Sequence, residues 1–324
     1  MENRDRTTGG RYDVVVVGGG TAGLNAALVL TRARRTVLVV DAGKPRNATA
    51  AHTQGFTTRD GTPPGELLAL GRAEVVGYGG EIVTGTASSA RRAPDGGFTV
   101  TLADGSTAHA RRLLVTTGVT DELPAVAGLR ARWGRDVLHC PYCHGWEVRD
   151  QAVGVLASGP MAVHQALLFR QWTSDVTLLS HTAPEPTEDE RAQLAARGVT
   201  VVPGEVAELV VTDDRLRGVR LTSGAVVALD AVAVGPKAVA RAGLPADLGL
   251  DTVEHPTGMG SYVPSEAMGL TEVPGVWVAG NVADLMTGLV GAAAGGSAAA
   301  MAINADLVAE DVRTAVAGRS AVTV

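Results

Sequence analysis

One short stretch limits what this chain can fold into. Tyr12-Asp13-Val14-Val15-Val16-Val17 is an apolar run of the kind that a parallel sheet buries on both faces. Gly18-Gly19-Gly20-Thr21-Ala22-Gly23 follows at once, and Leu24 to Leu30 then reads as an apolar helix. A second apolar run, Thr36 to Val40, ends at Asp41, 18 residues after Gly23. Strand, glycine turn, helix, strand and acid, in that order, make a dinucleotide-binding fingerprint. Gly18 allows the tight turn. Gly20 lets a pyrophosphate approach the backbone. Gly23 lets the helix pack against the strand. Thr21 and Ala22 open the helix, whose free N–H groups face the phosphates. Asp41 is placed to accept hydrogen bonds from a ribose.

The pattern returns later in the chain. Val153-Gly154-Val155-Leu156 reads as a buried strand, followed by Ala157-Ser158-Gly159-Pro160-Met161-Ala162, a helix pattern through Trp172, and a strand at Val176-Thr177-Leu178-Leu179. The offset is 139 residues, from Gly20 to Gly159. This copy is degraded, because Ala157 stands at the first glycine position. Pro160 suits the first helical position. Thr187 and Glu190 form a possible capping box, and Gly235-Pro236 ends the unit. Beyond come Leu244 to Leu250, a loop around Pro256 to Pro264, and a strand at Val276-Trp277-Val278-Ala279 closed by Gly280 to Asp284. The fold class is therefore α/β, with two Rossmann-like, three-layer nucleotide-binding domains. The length of 324 residues suits two domains better than one.

Composition excludes several alternatives. With 28 Lys+Arg against 34 Asp+Glu, the net charge of -6 argues against a broad basic surface for nucleic acid. Aromatics are only 3% beside 41 Gly, so packing must come from Ala, Val, Leu and close backbone contacts. Two cysteines exclude a disulfide-stapled secreted domain. Met1 to Gly10 is polar, with Arg4, Asp5 and Arg6, and does not read as a signal peptide. Leu285 to Ala305 carries no charge and is long enough to span a membrane. It is mostly Gly and Ala, with Thr287, Ser297 and Asn304, so its insertion drive is weak. A buried helix is expected, in a soluble, cytoplasmic protein without nucleic-acid or membrane partners.

His139-Cys140-Pro141-Tyr142-Cys143-His144 carries the chemistry. A dithiol redox pair is one reading, with one thiol made nucleophilic by a lowered pKa. Cys-x-x-Cys-His also fits c-type haem attachment, which requires export. A zinc site would need a second, separated ligand pair, so no metal is expected. Two inert core cysteines are the bland alternative. In the redox reading His144 takes and returns a thiol proton, with His139 as the other candidate base.

An intact fingerprint, a degraded second one and a Cys-x-x-Cys just before it together resemble the low-molecular-weight thioredoxin reductase family. The resemblance implies FAD, held by Gly18, Gly20, Gly23 and Asp41, with Asp41 replacing the more usual Glu. It implies that Thr117 and Gly118, in Thr116-Thr117-Gly118, end the first FAD segment. Gly280 and Asn281 fall in the second, and His52 in a loop near the flavin. The implied domains are 1–120 (FAD, first segment), 121–236 (degenerate NAD(P)-like, carrying the cysteines) and 237–324 (FAD, second segment). Three departures stand out. His144 replaces the family's acid after the second cysteine. Ser180 to Glu185 has no Lys or Arg where the family places arginines for the 2′-phosphate of NADPH. Asn281 replaces an FAD-contacting Asp.

These departures, with the run Trp133 to Glu147 and Phe56-Thr57-Thr58-Arg59-Asp60-Gly61, resemble a narrower branch. It comprises the dithiol oxidases of disulfide natural products such as gliotoxin and holomycin. The branch implies a homodimer that oxidises a small-molecule dithiol. Substrate exchanges with Cys140, Cys143 passes electrons to the flavin, His144 handles protons, and oxygen becomes hydrogen peroxide. Two rivals remain: a thioredoxin or protein-disulfide reductase fed by NADPH, NADH or ferredoxin, and a flavin-bound redox sensor.

Overall fold

A computed structural model describes residues 9–94 and 96–322. The polar start with Arg4, Asp5 and Arg6 lies outside the described residues. The first apolar run forms the strand Gly10–Val17, with Val14, Val15 and Val16 wholly buried. Val37–Asp41 and Thr107–Val115 flank it in parallel. Glu81–Thr84 and Val276–Val278 extend this sheet, also in parallel. The late strand Val276–Val278 thus returns the chain to its first sheet. Thr107–Val115 divides its pairing, because its first half carries the antiparallel hairpin Ala87–Arg92 and Phe98–Leu102.

The second sheet is parallel throughout. Its order is Thr200–Val202, Val176–Leu179, Val153–Leu156, Ala231–Val234, Val137–Leu138. The first sheet repeats that order as Glu81–Thr84, Val37–Asp41, Gly10–Val17, Thr107–Val115, Val276–Val278. Each sheet is the middle of three layers. Ala162, Ala166 and Phe169 of the helix Ala162–Phe169 cover one face of the second sheet. Leu209, Leu216 and Leu221, from an antiparallel three-stranded sheet, cover the other. Between the two units the chain crosses twice, on Val119–Glu122 and Lys237–Ala240, which pair antiparallel.

From Leu289 onward the uncharged Gly/Ala segment lies in the helix Leu289–Val322, 34 residues long, and Leu285 to Gly288 precede it. By length and composition this helix could cross a membrane. Here one face is core: Ala299, Ala300, Ile303 and Leu307 are wholly buried. It lies so close to the helix Thr21–Arg32 that a Cβ on Gly296 would sit 2.0 Å from the Ala22 carbonyl oxygen. Small residues permit that approach, which is why the stretch is Gly/Ala-rich.

Three local expectations need correction. Pro160 is not the first helical residue. Gly159, Pro160 and Met161 form a turn, and i→i−4 bonding starts with the Gln165 N–H to the Met161 carbonyl at 2.9 Å. The helix stops at Phe169, and Trp172 lies in tighter turns beyond it. The expected loop around Pro256 to Pro264 contains the strand Gly260–Tyr262. Gly260 has φ +152°, and a Cβ there would meet the Ala238 carbonyl oxygen at 1.9 Å, so only glycine admits this strand beside Lys237–Ala240.

Candidate active site

The glycine turn gives each glycine a distinct physical reason. Gly18 has φ +112°, and a Cβ on it would strike the Thr116 carbonyl oxygen at 2.4 Å. A Cβ on Gly23 would lie 1.9 Å from the Gly18 carbonyl oxygen. A Cβ on Gly20 would meet no atom within 4 Å, so its backbone borders open space. Two glycines are therefore needed for packing, and the third faces a place where a ligand can approach. Asp41 closes this cradle. Its Oδ1 accepts from the Gly19 N–H at 3.1 Å, and Arg72 donates to its Oδ2. Carboxylate oxygens have lone pairs to spare for ribose hydroxyls. Gly280, with φ +75°, brings the second segment in, since its Cβ position lies 3.0 Å from the Ala22 side chain. An open glycine backbone at a helix start with an acid at its edge fits the dinucleotide part of FAD.

Other candidates sit differently. Thr21 caps nothing with its side chain, but its carbonyl accepts from Asn25 at 2.9 Å. Thr117 donates to the Arg241 carbonyl at 2.9 Å, and the Arg241 N–H donates to the Gly118 carbonyl at 3.0 Å. Both residues therefore tie the two crossovers together. The Asn281 amide donates to the Thr287 carbonyl at 2.9 Å and the Asp284 carbonyl at 3.2 Å, holding its own loop. His52 is exposed and lines an interdomain cleft that His144 also lines. Its loop is pinned by Thr53, whose hydroxyl donates to the Thr62 carbonyl at 2.6 Å.

The cysteine pair forms the second cluster. Pro141–His144 is a single helical turn, with Cys140 at its N-cap. Both cysteines are free thiols and half-buried. Cys140 is lowered to about 7, because the Cys143 S–H and the backbone N–H groups of Cys143 and Tyr142 serve its thiolate. The Cys143 thiol is pushed up by that same hydrogen bond and by burial. Cys140 is thus the nucleophile of the pair, and Cys143 keeps the proton. Gly145 follows because Trp172 packs where a Cβ would be, 2.6 Å away. Trp172 in turn meets Tyr142 edge-on at 5.8 Å.

The histidines differ in orientation. His139 Nδ1 lies 3.1 Å from the Val234 carbonyl, which can only accept, so Nδ1 carries the proton and Nε2 the lone pair. Crowding by the protein, although the ring reaches solvent, lowers its pKa, and Arg46 and His144 add to this. Burial lowers His144 as well, partly opposed by Glu147. Both imidazoles are neutral near pH 7 and can accept a proton.

Three residues at these sites had no role in the sequence reading. Thr116 supports the turn, its hydroxyl donating to the Gly18 carbonyl at 2.7 Å. Arg72 serves Asp41. Arg46 binds Asp121 through two bonds, 2.6 and 2.8 Å, and its charge favours thiolate at both cysteines. Only Thr116 had a signal, as neighbour of Thr117. The others pair with residues tens of positions away.

The chain is similar to known proteins over most of its length. The family model described as pyridine nucleotide-disulphide oxidoreductase matches residues 12–315. Thioredoxin reductase sirT of Leptosphaeria maculans is 30% identical over 93% of this chain and 96% of its own. Thioredoxin reductase tcpT of Claviceps purpurea is 29% identical over 94% and 97%. The crystal structure of HlmI is 50% identical, covers 96% of this chain and 97% of its own, and superposes with a TM-score of 0.90. An oxidoreductase from Agrobacterium tumefaciens is 38% identical, covers 92% and 99%, and has a TM-score of 0.86. The chain belongs to the pyridine nucleotide-disulphide oxidoreductase family. It is an FAD-binding enzyme of the thioredoxin reductase-like kind.

Proposed function

We propose that this protein is an FAD-dependent dithiol oxidase, which closes a disulfide in a small-molecule dithiol and uses oxygen as acceptor. The observation that carries this reading is the state of His181. It is the one basic side chain in the Ser180 to Glu185 segment, where a 2′-phosphate would need cations. Its Nδ1 accepts from the Val206 N–H at 3.1 Å, and burial lowers its pKa, so it supplies no charge. The cysteine pair, by contrast, retains a nucleophile and nearby bases.

In the reductive half, His144 accepts the proton of a substrate thiol. The resulting thiolate attacks Cys140 of the oxidised pair, and the Cys140–Cys143 bond breaks, leaving its electron pair on Cys143. A second substrate thiolate attacks the mixed disulfide and releases the cyclised product and the Cys140 thiolate. Thiolate attack favours both steps, and the lowered pKa of Cys140 favours the second, in which it is the leaving thiol. FAD, which the Gly18–Gly23 turn and Asp41 would hold, would supply the two-electron acceptor between the reduced cysteines and oxygen, and the two protons lost by the substrate thiols would complete hydrogen peroxide. Arg46, clamped by Asp121, keeps positive charge beside the thiolates.

A second reading is a nicotinamide-fed disulfide reductase. It is favoured by the open space at Gly159, where a Cβ would meet nothing within 4 Å, and by NADH having no 2′-phosphate. Anaerobic titration of the holoprotein separates the two. The oxidase reading expects a small dithiol to bleach the flavin while NADPH and NADH do not. Cys140→Ser and Cys143→Ser should each abolish turnover. Prompt bleaching by a nicotinamide, or full activity in either variant, overturns it.

A further inference from the structure

A cleft of about 610 Å³ opens between the two nucleotide-fold units. Thr49, His52 and Gln54 of the first unit form one wall; His144, Glu147 and Val148 face them. Neither Gly18, Gly20, Thr117 nor Gly280 lines it, so it lies outside the FAD cradle. Its volume falls in the range of roughly 300–1,000 Å³ that suits drug-sized ligands.

The walls are held in place. Gly134, with φ +83°, packs so tightly on the opposite unit that a Cβ would strike Thr49 Oγ1 at 2.5 Å. Gln54 donates across the gap to Glu147 at 3.0 Å. The charges are largely spent on one another. Arg132 donates to Asp136 at 2.8 Å and to Asp214 at 2.6 Å, and Arg135 donates to Asp214 at 2.6 Å. Among the described residues, this leaves Glu147, Asp213 and Arg215 without an ion pair, two negative charges against one positive. The lining as a whole holds three arginines and four carboxylates, so it offers no surplus of cations. Neither cysteine lines the cleft, but His144, next in the chain to Cys143, does. A ligand in the cleft therefore meets the base before the sulfurs.

We propose that this cleft is the entry site of the dithiol, that it takes small dithiols without net charge, and that His52 positions them against His144. This rests on the oxidase reading above. Substrate then reaches the pair with the two units docked as they stand. His52 is a positioning residue, contributed by the unit that holds FAD to a site on the other unit.

The test uses the holoenzyme without oxygen and two probes that differ by one carboxylate, dihydrolipoamide and dihydrolipoate. Flavin bleaching is followed by stopped flow. Dihydrolipoamide should react about tenfold or more faster at low concentration, because the cleft disfavours an anion. His52→Ala should raise its half-saturating concentration about tenfold and leave the limiting rate unchanged, the mark of lost positioning. His52→Trp, which fills the cleft, should raise it further. Asp213→Asn keeps a residue type that tolerates the φ of +50° found there, and should shrink the preference for the neutral probe severalfold. Equal bleaching by both probes, or unchanged half-saturation in both His52 variants, overturns the cleft proposal alone. No bleaching by either probe overturns the oxidase reading and this inference with it.

Discussion

The two glycine turns occupy equivalent places in sheets of the same strand order, and they have diverged. In the first, Gly18, Gly20 and Gly23 stand where the second has Ala157, Gly159 and Ala162. The first turn is tight: two of its three glycines have Cβ positions inside 2.5 Å of a carbonyl oxygen. The second accommodates real Cβ atoms at Ala157 and Ala162, both buried. It has to be wider, and its helix begins only after the Gly159–Met161 turn. A phosphate cradle depends on backbone N–H groups converging at short range. The copy that kept three glycines keeps that geometry. The other keeps a sheet to hold the cysteine segment and the far wall of the cleft.

The largest expected effect comes from putting the second unit's residue into the first. Gly23→Ala places a Cβ 1.9 Å from the Gly18 carbonyl oxygen, so strand and helix must separate. The purified variant should lose at least about nine-tenths of its bound FAD, read as flavin absorbance per protein. The reverse change, Ala162→Gly, should keep full flavin content and cost at most about 1 kcal/mol of helix propensity. Equal flavin loss in both variants would erase the contrast between the turns.

The next effect concerns the thiols that the second unit carries instead of a phosphate site. Cys140 is lowered to about 7, so its alkylation rate should rise with pH through about 7, well before an ordinary thiol reacts. Removing Arg46 alone would strand Asp121, which is only 9% exposed, at a cost of about 3–5 kcal/mol. The double variant Arg46→Gln/Asp121→Asn removes both charges. It should move the alkylation midpoint upward by under about one unit, since Arg46 is the weakest of the named contributions. An unmoved midpoint would show that the backbone N–H groups and Cys143 act without it.

The smallest effect lies at the rim of the second unit. Thr187 caps the helix Glu188–Ala196, accepting from the Glu190 N–H at 3.2 Å while Glu190 bonds back to the Thr187 N–H at 2.8 Å. Thr187→Ala should cost about 1 kcal/mol, seen in thermal unfolding, without changing flavin content. A loss of flavin there would mean that the two units are less separable than their sheets suggest.

Much of this was legible from residues in order. The turn Gly18 to Gly23, the strands on either side, the acid at Asp41, the repeat offset and the capping box are all contiguous patterns. The cysteine pair was equally plain. Several details escaped. Gly260 was read as loop because its strand partner, Lys237–Ala240, is short and far from regular in spacing. Arg72 reaches Asp41 across 31 positions, Arg46 reaches Asp121 across 75, and Gln54 reaches Glu147 across 93. His52 was read as a flavin neighbour; that it also lines the cleft wall depends on how Thr49 meets Gly134.

The sequence by itself determined the two nucleotide-fold units, the single intact glycine turn and the presence of a reactive dithiol. Those follow from steric limits and hydrogen bonding over a few neighbouring residues. Only the tertiary structure decided which thiol is the nucleophile, that His181 is held neutral, and that His52 and His144 share one cleft. Each of those depends on burial and on charges brought close by docking two separately built sheets, and no local spacing encodes that distance.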